Sequence, residues 1–463
     1  MGNAHNVNWC KQVIMVEHER RNEARCMVKW AIGLIAILSL STGGTVAPSG
    51  VTFHKDVEPI LQNRCQICHH TGDIGPMSFM NYKEARPWAK AIRAAILQRK
   101  MPPWFADNRT GHFSNDRSLP QAEIDTLVAW VDTGAVEGDP AEAPKPLDFT
   151  DGWHIGKPDL IVEVPNAFQV PANGAVPYQY IRIPSGFRED RWVTAVEVLP
   201  SNRAVVHHIN ASSHTPGTLQ FKAGEFIALD VEAGNRALVR AGQEPPTFGV
   251  GDTPDGELLE VFVPGTVAKP LKPGQARLIK AGSDILLQLH FTTTGKPEQE
   301  KTRVGFVFAK EPPVQRVREM LIHNAHFTIP ARESNARVEA RAIVNSDAKL
   351  VSLLPHMHVR GKDFEYRAIY PSGEVETLLA VPHYDFRWQL KYYLEDEKPL
   401  PKGTIIECIA HYDNSPNNPA NPDANVDVQY GEQTWEEMLD GFLEVTMDPN
   451  IPAPQIFGAA PSH

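Results

Sequence analysis

From about residue 155 onward the chain falls into short runs of alternating apolar and polar residues: Asp159 to Val164, Tyr178 to Ile183, Arg191 to Leu199, Asp284 to Thr292 and Arg337 to Val344. Pro, Gly, Asn and Asp separate the runs. A strand whose every second side chain is apolar can bury that face only against another layer, so the pattern predicts antiparallel β-sandwiches. Proline supports this reading: 39 in 463 residues is about 8%, above the usual roughly 5%, and fits strand-ending turns better than long helices. The length predicts about three domains.

Ahead of residue 140 the period is helical. Val57, Ile60 and Leu61 share one face, as do Trp88, Ile92, Ala95 and Ile96. A third helix carries Ile124, Leu127, Val128 and Val131, with Ser118 placed to cap its start and Gly134 to end it. Between the first two lies Cys65-Gln66-Ile67-Cys68-His69. Two thiols three positions apart can form thioethers to the vinyl groups of a haem while the next histidine ligates iron. A zinc site would need two further ligands, and a thioredoxin-like pair would need a βαβ context. Three helices around this motif resemble a small class I cytochrome c over residues 51 to 140. The sixth ligand is expected to be Met101 in Lys100-Met101-Pro102-Pro103-Trp104, with Met77, Met80 and His112 as rivals. His70 reads as a surface histidine.

Met27-Val28-Lys29, the eleven-residue run from Trp30 to Leu40 and the small residues ending at Ala47 form a secretory signal peptide over 27–47. Translation is expected to begin at Met27, with residues 1–26 a mis-assigned upstream start. The run is short of the roughly 20 residues a bilayer span needs, so no stable membrane span is expected after cleavage. The product is expected to be exported, periplasmic or extracellular. Cleavage removes Cys10 and Cys26 and leaves Cys65, Cys68 and Cys408, too few for a disulfide framework. A net charge of −11 argues against nucleic acid or an anionic membrane surface as the main partner. The remaining segments divide into a haem domain at 48–140, a Pro/Ala/Glu-rich linker at 141–154, and two sandwiches at 155–312 and 313–463.

Histidines concentrate in the strand-rich part. Ile285, Leu287, Leu289 and Phe291 share one face of a strand, which turns His290 to the other with Gln288 and Thr292. His356 and His358 are two residues apart, so both imidazoles can converge on one metal. His207 and His208 are adjacent and on a regular strand face opposite ways; they can share a metal only if the backbone twists or different ring nitrogens are used. Met438 alone would read as core filler. As the third member of a two-histidine site it points to copper, because a thioether favours Cu(I).

In this order, His207-His208, then His290 in Leu-His-Phe, then His356-Met357-His358-Val359-Arg360-Gly361, then Glu437-Met438, the chain resembles the copper type II, ascorbate-dependent monooxygenases, typified by the peptidylglycine α-hydroxylating and dopamine β-monooxygenases. The segments Tyr384-Asp385-Phe386, Tyr412-Asp413-Asn414-Ser415 and Asn417-Asn418-Pro419 look like bacterial haem-fused relatives. The resemblance covers about residues 150 to 450. It implies a mainly β fold of two tandem antiparallel, jelly-roll-like sandwiches, preceded here by the small all-α cytochrome c domain. It also implies two coppers per chain. One would be held by His207, His208 and His290, and the other, which binds O2 and carries the catalysis, by His356, His358 and Met438. The covalent haem would be held by Cys65, Cys68, His69 and Met101. The implied partners are O2, a small-molecule or peptide-like C–H substrate, and a redox partner or ascorbate-like reductant. An electron-transfer or copper-holding protein, or a sandwich binding module tethered to a cytochrome, would use many of the same parts. The animal enzymes are disulfide-rich whereas Cys408 stands alone in this region, so stability must come from packing alone; the basic and aromatic residues that hold a peptide carboxylate in the peptide enzyme do not map onto this chain, so substrate identity does not carry over.

Overall fold

The computed structural model describes residues 50–459 apart from 74, 150–151, 175, 229–255, 264–266, 432 and 453–455; the expected signal peptide lies outside the described residues. The molecule is mainly β. The five runs read from alternation form the strands Leu160–Glu163, Gln179–Pro184, Arg191–Leu199, Asp284–Phe291 and Ala336–Val344.

An eight-stranded sheet runs through the β region in the order Leu160–Glu163, Arg303–Phe308, Arg191–Leu199, Gln275–Ile279, Gln315–His323, Asp440–Met447, Ala348–His356 and Tyr392–Leu400. Its first half packs on a five-stranded sheet that contains Val206–His214 and Asp284–Phe291. Val193, Val196, Ile209, Leu287 and Leu289, from both layers, make one core. Its second half packs on another five-stranded sheet, and Leu353, Leu443, Phe364 and Ile406 make a second core. The expected division near residue 312 falls between strands, but the halves share one sheet. Gln275 and Ala276 pair in parallel with Gln315 and Arg316 across the division. Near that seam Arg277 is paired with Glu444, both buried, and Lys391 lies 3.0 Å from Glu319.

The helical segment has its own core of Phe53, Leu61, Ile92, Ile96, Leu127 and Trp130. We label its helices α1 (Glu58–Arg64), α2 (Ala89–Leu97) and α3 (Gln121–Asp132). Two local expectations change. Pro120, not Ser118, precedes α3, and no side chain caps its start; the Ser118 N–H instead donates to the Asp116 carboxylate. Trp88 ends a 3-10 turn before α2 and is exposed rather than part of its apolar face. Gly134 does end α3, at φ 101°, a conformation only glycine adopts without strain. No helix among the described residues is long and apolar enough to cross a membrane.

The segment after the helices is held down rather than free. Phe149 stacks on His70 at 4.1 Å between ring centroids, and the Lys145 carbonyl accepts from Gln62. His70 is therefore half-buried and tied to the linker, not a bare surface residue.

Candidate metal centres and an adjoining cavity

The antiparallel pairing of Val206–His214 with Asp284–Phe291 places His208 directly opposite His290. On a regular strand His207 would then face away. A register shift between Val206 and His208 breaks the alternation at that point, and a bulge of this kind re-aims a side chain. The ligand atoms of His207, His208 and His290 consequently lie within 4.8 Å of one another, and among the described residues this is the only group of three or more His, Cys, Asp or Glu so placed. The Nδ1 atoms of His207 and His208 are 3.1 Å apart. The Nδ1 of His290 is buried and has no hydrogen-bond partner. Three converging nitrogens with an orphan among them fit a metal ion better than a self-contained hydrogen-bond network.

Ala348–His356 ends at His356, so His358 sits just past the strand. The two rings are 5.2 Å apart and nearly perpendicular, while Met357 between them is buried in the core. Neighbours fix which nitrogen is free. His358 Nδ1 donates to the Glu436 carbonyl at 3.2 Å, and His356 Nδ1 donates to Gln389 Oε1 at 2.9 Å. Each therefore offers Nε2. Met438 lies on the loop before Asp440–Met447, and its carbonyl accepts from the Tyr412 hydroxyl at 2.6 Å. A buried Glu437 carboxylate takes the backbone N–H groups of His358 and Arg360, and the Arg360 guanidinium reaches Asn414 and the Trp435 carbonyl.

His208 of the three-histidine set and all of His356, His358 and Met438 line one cleft of about 70 Å³, together with Tyr178, Leu354 and Phe442. Burial pushes His207 and His356 down to about 4, and His290 and His358 down to about 3. His208 is also held well below the ordinary value, by burial and by the four imidazoles around it. All five are neutral at physiological pH, the form that binds metal. Phe386 packs between the sets, 5.7 Å from the His207 ring and 6.0 Å from the His358 ring.

A second cavity, about 470 Å³ and within the size range of cofactor pockets, lies in the helical segment. Cys65, Cys68, His69 and Met101 all line it, among mostly apolar neighbours such as Ile92, Ile96 and Trp88. His69 Nδ1 donates to the Met77 carbonyl at 3.0 Å, which leaves Nε2 as a ligand atom. Gly75 lies against this histidine: a Cβ there would meet the Cys68 carbonyl at 2.5 Å and His69 Nδ1 at 2.6 Å. Burial pushes the thiols up to about 12 at Cys65 and about 11 at Cys68, so neither is a thiolate at neutral pH. Two protonated thiols, an oriented imidazole and an apolar enclosure fit a covalently attached haem. Of the rival sixth ligands, Met77 also lines the cavity, whereas Met80 and His112 do not.

The sequence reading missed Tyr178, whose ring lies 4.5 Å from His290, and Gln389 and Gly75. None belongs to a recognisable spacing motif. No family model and no curated protein matches the chain. Capsid structures of the Gt and Gx strains of infectious bursal disease virus overlap 65% of it, and 74% and 75% of their own chains, at 10% identity. Their TM-score of 0.18 is too low to carry an argument about fold or function.

Proposed function

We propose that this chain is an exported haem- and copper-containing oxidoreductase, an O2-dependent C–H hydroxylating monooxygenase. In it, a cytochrome c-type domain passes electrons to two copper centres held on two tandem jelly-roll-like sandwiches. The observation that carries the proposal is the cleft in which His208, one member of a converging three-histidine set, faces His356, His358 and Met438, all five imidazoles neutral.

Bound copper supplies one-electron chemistry that O2 activation requires. The residues do the rest. Gln389 and the Glu436 carbonyl hold the His356 and His358 tautomers, which leaves Nε2 of each as the atom that would hold a metal. Glu437, Arg360 and Asn414 hold the loop that presents Met438. Leu258, Leu354 and Phe442 give the cleft an apolar lining that suits a C–H substrate and keeps water away from the reacting atoms.

One observation favours a second reading. The cleft of about 70 Å³ is below the roughly 300 Å³ of ordinary ligand pockets, which suits an electron-transfer or copper-holding protein. Metal and haem analysis of protein exported by a host that matures c-type cytochromes, followed by O2 uptake with candidate C–H substrates, separates the two. Two coppers, one covalent haem and substrate-dependent uptake support the monooxygenase. The same metals without uptake support the carrier, and absence of copper after reconstitution refutes both.

A further inference from the structure

The haem-type cavity and the three-histidine set share a wall. His207 turns its Nδ1 toward His208, and the same residue lines the cavity of Cys65, Cys68, His69 and Met101. Its neighbour Val206 lines that wall too, as does Thr292, two residues beyond His290. None of His356, His358 and Met438 does.

This contact is built into the chain. Residues 104–116 of the helical segment lie along the outermost strand Tyr392–Leu400. Ser114 N–H donates to the Tyr393 carbonyl at 2.8 Å, Glu395 N–H donates to the His112 carbonyl at 2.9 Å, and Phe113 forms a bridge with Leu394. The Asn115 side chain donates to the Lys391 carbonyl and accepts from Tyr393 N–H. Trp104, Phe113 and Tyr392 pack edge to face. On the other side of the interface Arg203, just ahead of the histidine strand, pairs with the buried Asp73 at 2.5 Å.

We infer that His207 is the electron port of the molecule, the residue through which the haem cavity and the three-histidine centre communicate. The inference rests on the haem and copper assignment proposed above but not on oxygenase activity. The step moves one electron: Fe(II) is oxidised to Fe(III), Cu(II) at the three-histidine set is reduced to Cu(I), and no atom is transferred. Because the domains are docked, the step is intramolecular.

The test uses the full chain with haem and copper, without O2 or substrate. A sub-stoichiometric pulse of photogenerated reductant reduces the haem, and its absorption band is followed as the electron leaves. The expected decay is first order, with a rate independent of protein concentration. It persists in Met438→Ala, whose three-histidine set is intact, and its fast phase is lost in His290→Ala. A decay that survives in His290→Ala and is lost in Met438→Ala, or whose rate scales with protein concentration, overturns the inference. A second measurement needs no variant. In the unmutated protein, ferric haem should shorten the electron-spin relaxation of the three-histidine Cu(II) more than that of the other Cu(II); equal effects, or the reverse order, overturn it. A protein that passes both tests yet hydroxylates nothing refutes the monooxygenase and leaves the port standing.

Discussion

The backbone N–H of His358 donates to Glu437 Oε2 at 2.8 Å, so the residue before Met438 holds the chain that carries the second histidine. The other oxygen of the same carboxylate takes the Arg360 N–H at 2.6 Å. Glu437→Ala should therefore separate Met438 from His358 without touching a ligand. Groups that orient ligands typically contribute about 10- to 100-fold in metal affinity. Copper titration should show a loss of that order at this centre only, with the three-histidine centre unchanged. Equal weakening of both would mean that Glu437 supports the fold at large.

Gly75→Ala should disturb the haem cavity through sterics alone. The added methyl cannot fit beside the Cys68 carbonyl and His69 Nδ1. Overpacking of this kind costs about 1–3 kcal/mol. The expected result is a lower melting temperature and an altered haem band, with copper content intact. An unchanged spectrum would show that the His69 side of the cavity tolerates displacement.

Copper retention should be insensitive to mild acid. Folded imidazoles pushed down to about 4 or below stay unprotonated well under the ordinary 6.5, so protons compete for the ligands only as the pH approaches about 4. In the metal-free protein the same shift works against the fold. The unfolded chain takes up protons first, so stability is full above about 6.5 and falls as the pH drops toward about 4. Equilibrium dialysis and urea unfolding at several pH values check both. Copper release centred near 6.5 would mean that the histidines are open to water.

Glu300 should give the opposite slope. It is buried, and burial pushes its carboxyl up to about 7 against the pull of the Thr302 hydroxyl and Ser201 N–H. The native state keeps a proton that the unfolded chain releases near 4.5, so this contribution is full below that pH and is lost as the pH rises to about 7. In Glu300→Gln the slope should vanish. The variant's stability relative to the unmutated protein should rise by about 3 kcal/mol from pH 4.5 to pH 8, measured by urea unfolding. A flat difference would mean that Glu300 titrates in the native state as it does in the unfolded chain.

How much could be read from the sequence depended on the range of the interaction. The strand Arg191–Leu199 was evident because alternation is local, and Gly134 ended α3 because a positive φ is a property of one residue. His356 and His358 converge as their spacing predicts. The convergence of His207 with His208 was not decidable. It depends on a bulge against a strand far along the chain, and single-sequence periodicity carries no record of that pairing. Met438 gained its place only through Glu437, Arg360 and Asn414, three segments that meet in space. The wall shared by His207 and Cys68 is a matter of domain docking, which no spacing encodes.

The seam between residues 104–116 and the Tyr392–Leu400 strand also bears on how such a chain can be cut or inherited. That strand is the last in its sheet, and the helical segment supplies partners for its Tyr393 and Glu395 backbone groups. A bare strand margin is a template for association with other chains. A version that begins after the helices would present unpaired peptide groups beside Tyr392 and tend to self-associate. The two parts are thus tied by the pairing of this strand margin, and the fusion would be hard to undo by deletion alone.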